Sequence, residues 1–73
     1  MGETVKLVGR GEVLMRALAV VRYRYRRQGS NGPFTSTTGS FRVLQQVETL
    51  VLQAIRHARP GCEVELTELR WKP

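Results

Sequence analysis

Arginine alternates with tyrosine along Arg22-Tyr23-Arg24-Tyr25-Arg26 and ends on Arg27. Guanidinium forks grip phosphate oxygens, and aromatic rings stack on unpaired bases, so such a run suits nucleic acid. Arg10 lies between Gly9 and Gly11, ahead of a segment with helical spacing. Free backbone N–H groups at a helix start favour a phosphate, which makes Arg10 a candidate contact. Thr38, Gly39, Ser40 and Arg42 form a second candidate cradle, or simply a cap, at the start of a later helix. The candidate nucleic-acid-binding residues are Arg10, Arg16, Tyr23, Arg26, Arg27 and Arg42.

Other chemistry finds little support. Asp is absent, and the single His57 and single Cys62 have no partners at ligand spacing, so neither a metal nor a cofactor is expected. Glu63, Glu65 and Glu68 share one segment, but nothing marks them as an acid–base pair rather than a solvated edge. No catalytic constellation emerges, and the chain reads as a non-enzyme.

Composition agrees with a polyanion partner. Twelve basic residues stand against six acidic ones in 73, a formal net charge of +6, and ten of the twelve are arginine. The hydrophobic fraction of 41% supports a folded core. At this length the chain is one domain, residues 1–73, with a modest core, and pairing into a homodimer is expected because it buries apolar surface. One cysteine allows no internal disulfide, which fits a reducing compartment. No apolar run approaches a membrane span, and Met1 to Arg10 has no signal-peptide core. A cytoplasmic, nucleoid-associated protein with no membrane contact is the resulting expectation.

The elements that must position these residues follow from periodicity. Glu3 to Val8 alternates as a strand. Leu14, Ala17, Leu18, Val21 and Tyr25 recur at three- and four-residue spacing, which predicts a helix from about Glu12 to Gln28, stopped at Gly29. That helix would bury Tyr25 and leave Arg16, Tyr23, Arg26 and Arg27 on its outer face. Ser30 to Ser40 reads as a turn at Asn31-Gly32 and a short strand over Phe34 to Thr38, or as a flexible loop. A second helix is expected from about Phe41 to Arg59, capped by Ser40 and ended by Pro60-Gly61. Glu63 to Trp71 is a strand. Its alternation, Val64 and Leu66 then Leu69 and Trp71, slips by one residue, which predicts a bulge or a strong twist near Thr67-Glu68. The expected fold class is α+β, a small β-α-β-α-β sandwich with both helices on one face of the sheet.

This order, together with Val5-Lys6-Leu7-Val8-Gly9-Arg10, Gly39, and the closing Val64-Glu65-Leu66-Thr67-Glu68-Leu69-Arg70-Trp71, resembles the Alba family of archaeal chromatin and RNA-binding proteins. The chain departs from that family where Gly11 and Glu12 follow Arg10, where Thr38 and Ser40 flank Gly39, and where it stops at Pro73 before a hairpin arm. The resemblance implies a DNA- or RNA-binding architectural protein and a nucleic-acid contact at Arg10. The same order is similar to the C-terminal domain of a bacterial translation initiation factor. That leaves an alternative: an interaction or ribonucleoprotein subunit whose basic face docks on an acidic partner or the ribosome. Binding in the first reading is electrostatic and weakly sequence-specific.

Overall fold

The computed structural model describes residues 17–73. The strand expected at Glu3 to Val8 lies outside them. Three strands and one helix follow in the order β1 (Ala17–Arg27), β2 (Thr35–Val43), α1 (Glu48–Ala58) and β3 (Cys62–Lys72). The sheet order is β2-β1-β3, and β1 runs antiparallel to both neighbours. The outer strands are therefore parallel to each other, and the connection through α1 carries the chain across the central strand. The class is α+β, but the expected β-α-β-α-β sandwich with two helices is not what forms.

The decisive difference is β1. Residues 17–27 fall within the segment expected to be helical, yet they are extended. The three- and four-residue spacing of Ala17, Leu18, Val21 and Tyr25 competes with strict alternation of Ala19, Val21 and Tyr23 against Val20, Arg22 and Arg24. Valine and tyrosine favour the pleated surface and lose side-chain freedom in a helix. Burial follows the period of two: Ala19, Val21 and Tyr23 are buried, while Arg22 and Arg24 are exposed. Gly29, read as a helix stop, instead turns the hairpin between β1 and β2. The Ser30 amide donates to the Arg27 carbonyl at 3.0 Å, and Gly29 takes φ of 82°, the positive value a type II turn needs there.

The segment around Gly39 also changes role. Phe41 to Val43 finish β2 rather than open a helix, and α1 begins only at Glu48, after Val47, with no side-chain cap. Ser40 therefore caps nothing. Gly39 sits in mid-strand opposite Val21, where the missing side chain lets the Phe41 ring lie back toward Tyr23, 6.4 Å between centroids and edge-on. A Cβ at Gly39 would meet that ring at 3.1 Å.

Among the described residues, the buried core lies on one side of the sheet. Val51 and Ile55 of α1 press on Ala19, Val21 and Tyr23, and Phe41, Val43, Val64, Leu66, Leu69 and Trp71 close around them. Burial of Val51 and Ile55 contributes about 1.5–3 kcal/mol each. The slip in the last strand is a real register shift: Arg22 pairs with Glu68 and Tyr23 with Leu66, so Thr67 is the extra residue. The Thr67 hydroxyl donates to the Arg22 carbonyl at 2.9 Å. This bulge keeps Leu69 and Trp71 on the core side after Val64 and Leu66. It also turns Glu68 to the same outer side as Glu63 and Glu65.

Candidate nucleic-acid interface

The side of the sheet away from α1 carries the polar alternates of all three strands, and no described residue packs over it as α1 does on the other. Read across the rungs, Arg42, Leu18 and Lys72 share one row, and Ser40, Val20 and Arg70 the next. Then come Thr38, Arg22 and Glu68; Ser36, Arg24 and Glu65; and finally Arg26 with Glu63. Six cations thus share this face with three carboxylates.

The two ends of the face are built differently. Toward the hairpin, each arginine that β1 presents on this face meets a glutamate of β3. Arg26 Nε lies 3.0 Å from Glu63 Oε2, Arg24 Nε pairs with Glu65 Oε1, and Arg22 Nε lies 3.3 Å from Glu68 Oε1. Toward the start of β1, Arg42, Arg70 and Lys72 surround Leu18 and Val20 with no carboxylate among the described residues of those rungs. Strands lie roughly 4.8 Å apart, so the backbones bearing Arg42 and Lys72 are about 10 Å from each other across Leu18. Arg70 and Lys72, two residues apart on one strand, are separated by about 7 Å. A shallow depression of about 130 Å³, lined by Val20, Arg22, Thr38, Glu68 and Arg70 among others, marks the join between the two ends.

The expected site residues are divided by this arrangement. Arg42 lies on the exposed face at its cationic end. Arg26 is on the same face but serves the hairpin: besides Glu63 it donates through Nη1 to the Gly32 carbonyl at 2.9 Å, and its guanidinium lies 4.3 Å from the Phe34 ring centroid. Arg24 covers the same ring at 4.7 Å. Arg27 is exposed at the end of β1, not at a helix end. Arg10 and Arg16 lie outside the described residues.

Tyr23 requires correction. Helical spacing places it outward as a base-stacking ring, but it is 3% exposed in the core, because in a strand it shares a face with Ala19 and Val21. Its hydroxyl accepts from Arg59 Nε at 3.1 Å. Tyr25, expected to be the buried ring, is half-buried instead, with the Arg59 guanidinium 4.0 Å from its ring centroid. The hydrogen bond with Tyr23 raises the Arg59 pKa further above its ordinary value. The cradle expected at Thr38, Gly39, Ser40 and Arg42 dissolves as well, since these are strand residues whose side chains alternate between the two faces.

Arg70 and Lys72 were missed from the sequence. Their signal was available: they alternate with Leu69 and Trp71, so a strand with core-facing Leu and Trp must present them on the opposite side. Among the described residues no cluster of His, Cys or Glu is arranged to hold a metal ion. No described helix is long and apolar enough to cross a membrane. Comparisons with protein-family models, with curated proteins and with solved structures give no match.

Proposed function

We propose that this chain binds nucleic acid through the sheet face opposite α1, holding the phosphodiester backbone at the end formed by Arg42, Arg70 and Lys72. The observation that carries this reading is the placement of three cations from two outer strands around one patch whose described rungs hold no carboxylate. A phosphodiester strand is the ligand whose charge repeats at close, regular intervals, and arginine matches its oxygens with a planar fork. Ser36, Thr38 and Ser40 line the β2 side of the same face with hydroxyl donors of the kind that commonly contact phosphate.

The same face supports a reading of weak sequence preference. Tyr23, Tyr25, Phe41 and Trp71 pack with the core, and Phe34 is overlaid by Arg24 and Arg26. No described ring is therefore presented to stack on a base, and phosphate contacts carry no sequence information directly. A duplex, whose bases are already stacked, is the better ligand.

A salt series tests this. Three engaged cations give a slope of log affinity against log salt of roughly −3, and any further cation steepens it. The triple variant Arg42→Gln/Arg70→Gln/Lys72→Gln should flatten the slope by about that amount and lower affinity about a thousandfold near 50 mM salt. Unchanged affinity in the triple variant would refute the assignment of this face.

A further inference from the structure

Arg22, Arg24 and Arg26 of β1 continue the cationic end of the face along the central strand, yet they are held by the chain's own carboxylates. Arg22 and Arg24 are each bonded to a glutamate through Nε alone, so the two terminal nitrogens of each fork carry no other hydrogen bond to a described residue. Both pairs are exposed, Arg22 and Glu68 at 63% and 58%, Arg24 and Glu65 at 44% and 56%. Arg24 also lies over the Phe34 ring, as Arg26 does, but Arg26 alone of the three adds a backbone acceptor, the Gly32 carbonyl, to its glutamate.

We propose that Arg22 and Arg24 form a latent second phosphate-binding site, contiguous with the Arg42–Arg70–Lys72 end and occupied in the free protein by Glu68 and Glu65. The inference rests on the reading of this face as a phosphodiester-binding surface. A carboxylate and a phosphate oxygen present the same acceptor chemistry to a guanidinium, and phosphate can take the fork in a bidentate grip. Exposed ion pairs hold weakly, so Glu65 and Glu68 compete without locking the arginines away. They cancel the long-range pull of these two cations and repel an approaching phosphate. The footprint of the bound strand is thereby confined to the cationic end.

The bulge is what makes the arrangement possible. If Thr67 paired with Arg22 in an unbroken register, Glu68 would fall on the core side, and Arg22 would stand opposite no acid. The same backbone irregularity that brings Leu69 and Trp71 onto the core thus sets the acid beside Arg22.

The test uses the full chain and short DNA and RNA duplexes as probes. Glu65→Gln and Glu68→Gln keep an acceptor beside each arginine but remove the competing charge. Each should raise duplex affinity about tenfold near 50 mM salt and steepen the salt slope by about 0.9. Glu48→Gln, the same charge change on α1, should raise it far less. Arg24→Gln should leave the affinity of the parent chain nearly unchanged but abolish the gain produced by Glu65→Gln. Gains no larger than that of Glu48→Gln, for both glutamates, would overturn the latent site while leaving the cationic end intact. If the parent chain binds no duplex and the glutamine variants do, the cationic-end reading fails and the latent site stands. If neither binds, both fail. Equal gains on DNA and RNA place the contact on the shared phosphodiester chemistry; a gain on one alone narrows the ligand to that duplex.

Discussion

The two faces of the central strand make opposite use of the same eleven residues. On the α1 side, Ala19, Val21 and Tyr23 are buried against Val51 and Ile55 and close the core. On the other side, Arg22 and Arg24 reach only across the sheet to Glu68 and Glu65 and over the hairpin to Phe34. One face therefore carries the stability and the other the charge. A substitution on the first should change folding; a substitution on the second should change what the folded chain attracts.

The largest effect should come from the covered face. Ile55 is fully buried, and Ile55→Ala should cost about 2–5 kcal/mol. A chain of this size has only about 4–11 kcal/mol in total, so this variant should unfold at much lower denaturant or temperature. Chemical denaturation followed by circular dichroism reads the loss. A cost below about 1 kcal/mol would mean that the helix is not what holds this face.

That contrast also shows where the sequence was legible. The last strand and its slip could be read because Val64, Leu66, Leu69 and Trp71 are separated by polar residues that permit no helical face. The first strand was misread because alanine, leucine and valine fill both sides of residues 17–21, so either period finds apolar residues at its positions. Only the Arg-Tyr alternation after Val21 distinguishes them, and that alternation suits nucleic-acid chemistry as well as strand geometry. The start of α1 was obscured for a related reason: Phe41 and Val43 fit a helical stripe as well as a strand alternation, and Val47 offers no capping side chain to mark the boundary. For the candidate site, the chemical class was legible from arginine content. Its address was not, because outward and inward positions exchange when a helix is replaced by a strand. Tyr23 went in, and Arg70 and Lys72 came into view.

The next effect separates backbone from side chain. Gly61 holds φ of 76° between α1 and β3, in open space. Gly61→Ala meets no atom, so its cost is the left-handed conformation alone, about 1–2 kcal/mol. The melting temperature should fall by several degrees, with duplex binding by the folded protein unchanged. No change in melting would show that the turn has an alternative conformation of equal energy.

Smaller still is the hydroxyl of Tyr23, the only polar atom of that side chain. Tyr23→Phe keeps the ring in the core and removes the acceptor for Arg59, which should cost about 0.5–1.5 kcal/mol. The ring of Tyr25 still lies beneath the guanidinium, so Arg59 keeps one partner. Thermal unfolding of this variant beside Tyr25→Leu would apportion the two contacts. A loss above about 3 kcal/mol would place this hydroxyl among the main supports of the core rather than at its margin.

The smallest effect on stability belongs to the Arg–Glu ladder, and its smallness is the point. A double-mutant cycle of Arg24→Gln and Glu65→Gln should give a coupling of about 0.2–1 kcal/mol, the range of exposed pairs. The coupling should shrink between about 0.1 and 1 M salt, as the Debye length falls from about 10 Å to 3 Å. A pair held so loosely leaves Arg24 ready to take a phosphate once the charge of Glu65 is removed, without disturbing β1, whose place is fixed from the opposite side by Val51 and Ile55. A coupling above about 2 kcal/mol that survives high salt would reverse that argument. The ladder would then belong to the fold, the two faces would share the load, and Glu65→Gln would cost stability instead of freeing Arg24 for a phosphate.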